Sequence, residues 1–354
     1  MEVDQERSRL FMFGLPETGK TTFLAALWHV VESPEIDGVW KLDELFEGSR
    51  DYIEKRRQEW ISYKEMKRTK VDGNAIRMKL KGRDGSFAQF EMPDLSGETF
   101  RQQFVERDLR EGLAELYRKA TGALLFINPN KVQDPFSIPS VETVIGESWD
   151  DEDGEDDWDE DDDEKESEVE DTAAVAIDVT DEDDSSSEEV TGPDSPEDSV
   201  KPEGETAPVD ATPDSETSFV DEPSQFNISK CCTSVKVAEL LQFLHSVRGT
   251  PIRLAVVVAA LDELDGTPFE NQPVKYIEKH FALVRQYLRA NPHVFVTRVF
   301  GLSAQGTSYQ RKDQLKALQN MANASDRIRL VHEDGSKTND LTQILDWLCE
   351  AETR

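Results

Sequence analysis

Apolar residues in this chain gather in short runs separated by longer amphipathic stretches. Residues 9–13 form a compact apolar run of strand type, and Phe23, Leu24, Leu27, Trp28 and Val31 then recur at helical spacing, which predicts one buried helix face. His29 lies beside that face, where it reads as a packed or surface histidine rather than a ligand. Residues 40–67 are more polar and helical in character, with Leu42, Leu45, Phe46, Tyr52, Ile53, Trp60 and Ile61 as apolar positions. Residues 75–81 and 86–92, joined by Gly82-Arg83-Asp84-Gly85, predict a β-hairpin from alternation and a Gly-containing turn. A helix is expected over 100–120, and a buried strand over 123–127 that ends at Asn128-Pro129-Asn130. The pattern resumes near Phe226 with a helix over 235–247, a strand over 252–258, a helix over 274–290, a last strand over 294–302 and a closing helix over 339–349. Strands separated by helices predict a doubly wound α/β sheet with helices on both faces, in which ligands sit at the C-terminal ends of the strands.

Charge changes this picture in one place. The 354 residues carry a net charge of -34, yet residues 141–225 hold 36 of the 74 acids and only two of the 40 bases, Lys165 and Lys201. That leaves 38 of each sign elsewhere, so the folding part is neutral and has no global signature for nucleic acid. From about Gln133 to Ser224 the chain is acidic, rich in Ser, Pro and Thr, and too poor in apolar residues to offset its ordering entropy. The expected organisation is one domain in two pieces, 9–131 and 226–354, interrupted by an acidic disordered insert over 132–225. Within the insert, residues 173–184 join a short β-prone run to a string of acids, which reads as solvating tail or as a strand for a partner's sheet edge. Lys55, Arg56, Arg57, Lys64, Lys67, Arg68 and Lys70 make 55–70 the most basic stretch, either a solvated helix face or a docking surface for the insert or a partner. Cys231, Cys232 and Cys349 fit neither a metal site nor a disulfide framework. With an acidic, polar beginning and no apolar run of membrane length, a cytoplasmic protein that binds neither membrane nor nucleic acid is expected.

The chemistry concentrates where the first strand ends. Gly14-Leu15-Pro16-Glu17-Thr18-Gly19-Lys20-Thr21 has the G-x-x-x-x-G-K-[ST] spacing of a phosphate-binding loop. Its glycines let consecutive N–H groups face an oxyanion, and the helix opening at Lys20 adds its dipole. Lys20 is expected to reach the β- and γ-phosphates and the Thr21 hydroxyl to ligate Mg2+. The hairpin runs into Asp94-Leu95-Ser96-Gly97, the shape of a γ-phosphate sensor in which the carboxylate holds Mg2+ through water and the Gly97 N–H meets the γ-phosphate.

In its order of motifs the chain resembles the TRAFAC-class GTPases. More narrowly it resembles their bacterial double-GTPase group, which has a W…R-T segment before the hairpin, a D-x-x-G-E third motif and a base-recognition box without Asn/Thr-Lys. The resemblance spans 9–131 and 226–349. It implies that Gly14, Glu17, Thr18, Gly19, Lys20, Thr21 and Thr22 hold the phosphates. Thr69 matches the switch threonine that closes on Mg2+ and the γ-phosphate, and Asp94 with Gly97 matches the second switch. The implied metal ligands are thus Thr21, Thr69 and Asp94. Asp262 matches the carboxylate that reads guanine N1–H and N2–H2, and Ser303-Ala304 the loop whose N–H meets guanine O6. Two departures stand out: Ala259-Ala260 replace Asn/Thr-Lys, removing the lysine stem that covers the base, and Glu98 follows D-x-x-G. Glu98 is either a base toward water or a solvent-facing carboxylate, and the implied catalytic set is Lys20, Thr69 and Glu98. The expectation is a GTP/GDP-binding switch with slow Mg2+-dependent hydrolysis, acting through a partner protein in a bacterial defence or conflict system. The alternative is a nucleotide-binding scaffold of negligible turnover whose acidic insert recruits a basic partner.

Overall fold

The computed structural model describes residues 8–47, 50–64, 75–93, 102–132 and 231–350. Thr69, Asp94, Gly97, Glu98 and the acidic segment with its 173–184 run lie outside the described residues.

The strands are β1 (Ser8–Gly14), β2 (Trp40–Glu47), β3 (Ile76–Gly82), β4 (Phe87–Met92), β5 (Gly122–Ile127), β6 (Ile252–Val258), β7 (Phe295–Ser303), β8 (Arg329–Val331) and β9 (Lys337–Thr338). They form one nine-stranded sheet in the order β2-β3-β4-β1-β5-β6-β7-β8-β9. The central run β4-β1-β5-β6-β7 is parallel, while β2-β3-β4 and β7-β8-β9 are antiparallel flanks. Strands from before and after the acidic segment pair directly, β5 with β6. The central strands are buried on both faces, which is why they read as continuous apolar runs instead of alternating ones.

Alternate residues feed two cores. Leu10, Met12, Leu124, Phe126, Ala255 and Val257 belong to one, beneath α1 (Lys20–Glu32) and α2 (Arg50–Ile61). Phe11, Phe13, Leu125, Ile127, Val256 and Val258 belong to the other. It is covered by α3 (Glu111–Lys119), α4 (Thr233–Val247), α5 (Pro273–His280) and α6 (Ala282–Ala290). A peripheral α7 (Lys312–Gln319) follows, and α8 (Thr342–Cys349) returns to the first face through Ile344, Leu345 and Leu348. The doubly wound α/β sheet with helices on both faces is therefore present.

Several elements differ from the sequence reading. Residues 40–67 open with a strand, β2, before α2 begins. Leu42 faces Leu80 and Leu45 faces Met78 across register shifts in β2, so two inward residues stand three apart instead of two. A bulge of that kind imitates helical spacing. Residues 100–120 are not one helix: a wide turn over Gln102–Glu106 precedes α3, and Arg107 has φ 56. Residues 274–290 form two helices that break at Phe281, fully buried with φ -128. Strand β7 is not last, because β8 and β9 extend the sheet. The closing helix starts at Thr342, whose N–H donates to Asp340 Oδ1 at 2.9 Å, and the other Asp340 oxygen accepts from Val39 N–H at 3.2 Å.

His29 is buried, accepts from Arg57 Nε at 3.2 Å on Nδ1 and so presents Nε2–H to Glu35 at 2.9 Å. In the basic stretch, Arg56 pairs with Glu59 and Arg57 with Glu54 and Glu32, leaving Lys55 and Lys64 exposed among the described residues. None of the three cysteines forms a disulfide among the described residues. Among the described residues no helix is long and apolar enough to cross a membrane.

Candidate functional site

Strands β1, β5, β6 and β7 end at one edge, at Gly14, Ile127, Val258 and Ser303, held in line by parallel register. A Cβ on Gly14 would meet the Phe126 carbonyl oxygen at 2.7 Å, so only glycine lets β1 end this close to β5. The chain then turns through Glu17, at φ 57, and enters α1 from Gly19, at φ 86. The strained Glu17 is held from outside the loop: Asn128 Nδ2 donates to its carbonyl at 2.9 Å, and Lys131 pairs with its carboxylate. Thr18 is buried and donates its hydroxyl to the Leu15 carbonyl at 2.8 Å.

Lys20 folds back into the loop. Its Nζ donates to the carbonyl oxygens of Gly14 at 3.0 Å and Leu15 at 2.6 Å, and lies 3.3 Å from Thr18 Oγ1. Burial pulls its pKa down to about 7, because an ammonium withdrawn from water is disfavoured. Helix α1 has no acid in its first turn and no side-chain cap, so the positive end of its dipole, which suits an anion, is not offset by a carboxylate of its own. Thr21 and Thr22 stand half-buried in that turn. One hydroxyl beside a phosphate cradle fits Mg2+, which keeps several waters and takes few protein ligands besides phosphate oxygens.

At the other end of the edge, β6 leads through Ala259 and Ala260 into a tight turn over Leu261–Leu264. A Cβ on Gly19 would stand 3.4 Å from the Ala259 methyl, so this turn abuts the phosphate loop. Ala260 has φ 47, a left-handed conformation that costs about 1–2 kcal/mol for a residue with a Cβ. Asp262 is only 5% exposed, and its Oδ1 accepts from the Ser303 hydroxyl at 2.6 Å. Ser303 Oγ accepts in turn from the Gly306 N–H at 3.1 Å. Arg311 donates to the Asp262 carbonyl at 3.3 Å and pairs with Glu263. A carboxylate has about four acceptor positions, so Asp262 can hold Ser303 and still receive ligand N–H groups.

Thus Gly14, Glu17, Thr18, Gly19, Lys20, Thr21, Thr22, Asp262, Ser303 and Ala304 come to one edge of the sheet. Four contributors to this edge escaped the sequence reading: Asn128, Lys131, Arg311 and Trp60, whose indole N–H donates to the Ala304 carbonyl at 3.0 Å. Asn128 carried a usable signal, being a polar residue one position past a buried parallel strand. The others are joined to the site only by long-range packing.

A comparison with curated protein sequences finds no match. The profile of the Double-GTPase 1 family matches residues 11–348, from β1 to the end of α8 and across the acidic segment. By that match the chain belongs to the double-GTPase group of P-loop proteins.

Proposed function

We propose that this protein is a GTP-binding switch with slow, Mg2+-dependent hydrolysis that acts through a partner protein. Membership in the family implies guanine-nucleotide binding, with Mg2+ as its usual companion. The observation that carries the finer reading is the buried Asp262–Ser303 hydrogen bond, 2.6 Å, on the same edge as the Lys20 loop. Guanine offers N1–H and N2–H2 to a carboxylate, whereas adenine has an acceptor at N1 and would leave the charge unpaired. Ser303 fixes the orientation of the Asp262 carboxylate through its hydrogen bond to Oδ1. At the other end the Lys20 ammonium exchanges two carbonyl partners for phosphate oxygens, a charge-assisted contact that favours the protonated form. Thr21, Thr69 and Asp94 would hold Mg2+, which would supply charge that neutralises the phosphates. The γ-phosphate orders the segments around Thr69 and Asp94–Gly97, and its loss releases them. Glu98, a carboxylate, is repelled by that phosphate unless shielded, hence the slow turnover. The partner and its setting in bacterial defence rest on resemblance alone.

One observation bears on the alternative, a scaffold whose acidic segment recruits a basic partner: Lys131 and Thr233, on either side of that segment, lie beside the phosphate loop. Lys131 pairs with Glu17, and the Thr233 hydroxyl donates to the Lys131 carbonyl at 3.3 Å. The two readings separate in a phosphate-release assay at saturating GTP. The switch gives slow release that disappears in both Lys20→Ala and Asp94→Ala. Release absent from the wild type supports the scaffold, and release unaltered by both substitutions contradicts the site.

A further inference from the structure

We propose that Trp60 is a positioning residue for guanine specificity, tying the Ser303–Ala304 turn to the end of α2. This rests on the guanine-reading function proposed above.

Trp60 is fully buried at the end of α2 and lies 244 positions from Ala304 in the chain, yet its Nε1–H donates to the Ala304 carbonyl at 3.0 Å. The indole is itself fixed. The Arg327 guanidinium sits 3.7 Å from the ring centroid, and Arg327 Nη2 donates to the Trp60 carbonyl. Tyr63 flanks the same guanidinium at 4.5 Å and donates its hydroxyl to the Leu318 carbonyl at 2.9 Å. The backbone of Arg327 backs the turn from behind, since a Cβ on Gly306 would meet its carbonyl oxygen at 3.1 Å.

Arg327 is 3% exposed, and among the described residues its Nε and Nη1 have no hydrogen-bond partner and it makes no ion pair. A buried guanidinium without a direct ion pair is costly, and the two ring faces and the nearby Glu35 carboxylate offset only part of that cost. An apolar side chain of similar volume would fill the space at lower cost. What the arginine provides instead is rigidity in one direction: it clamps the indole whose N–H points at the turn.

The division of labour is then complete. Ser303 orients Asp262, which meets the N1 and N2 edge of guanine. Trp60 fixes the backbone of Ala304, which meets O6.

Calorimetric titration of GTP, ITP and 6-thio-GTP into wild type and Trp60→Phe tests this. The phenyl ring keeps a face for Arg327 and removes the indole donor. ITP lacks the 2-amino group read by Asp262, and 6-thio-GTP replaces O6 with a poorer acceptor. The expected result is GTP binding about two- to tenfold weaker in Trp60→Phe, a narrowed preference for GTP over 6-thio-GTP and an unchanged ratio of GTP to ITP. Equal weakening of all three nucleotides, or no change, overturns the inference. Should Trp60→Phe not fold, hydrogen exchange on the wild type decides: GTP slows exchange at residues 60–64 more than 6-thio-GTP at equal occupancy, and equal slowing contradicts the coupling. A wild type that does not prefer guanine nucleotides over ATP removes the proposed function itself, an outcome distinct from either.

Discussion

The two ends of the ligand edge are built differently. At the base end the side chains are fixed by one another before any ligand arrives: Ser303 on Asp262, Gly306 on Ser303, Trp60 on Ala304 and Arg327 on Trp60. Most of these groups are buried. At the phosphate end, among the described residues, Lys20 donates to oxygens of its own loop, and Glu17 holds a left-handed backbone through two contacts near the surface. The base end is a preset gauge, whereas the phosphate end holds a charge turned inward that a ligand must redirect. Affinity and selectivity should therefore respond to different substitutions.

The largest expected effect is at the phosphate end. Lys20→Ala removes a charge-assisted contact and should weaken GTP, GDP and ATP alike, by roughly a hundredfold, as read by equilibrium titration. An effect confined to guanine nucleotides would erase the distinction between the two ends.

A dependence on pH follows from the same lysine. In the free protein its pKa is lowered to about 7 by burial, and bound phosphate favours the ammonium and raises it again. Binding then takes up a proton above that value. Affinity should be flat below pH 7 and fall as pH rises above it, approaching tenfold per unit until the bound-state pKa is reached. Titrations over that range in buffers of different ionisation enthalpy would detect the uptake; constant affinity would show that the charge is not regulated by the loop.

A smaller effect probes the tether. Asn128→Ala deletes the donor to the Glu17 carbonyl and should weaken all nucleotides about two- to fivefold, with the ratio of GTP to ATP unchanged. A changed ratio would mean that the tether reaches the base end.

What could be read from the sequence followed how local the cause was. The Gly14–Thr21 loop is written in eight consecutive residues, because its glycines answer to φ and to the approach of Phe126. The parallel strands were readable because burial on both faces makes unbroken apolar runs. Strand β2 was not, because its bulge puts Leu42 and Leu45 at a spacing that a helix also produces. Strands β8 and β9, three and two residues long, carry too few positions for any period to show. At the site, Asp262 and Ser303 were each singled out by motif order, but the hydrogen bond joining them spans 41 residues. Trp60 looked like core, which it is; its second role lies in one N–H aimed at a distant carbonyl.

The central claim is that Asp262 reads guanine. Its most direct test is calorimetric titration of GTP and ATP, with Mg2+, into the wild type and Asp262→Ala. The account predicts a wild type that prefers GTP, and a variant that loses about ten- to a hundredfold in GTP affinity while ATP is unaffected. Equal binding of GTP and ATP by the wild type, with neither altered in Asp262→Ala, would contradict it.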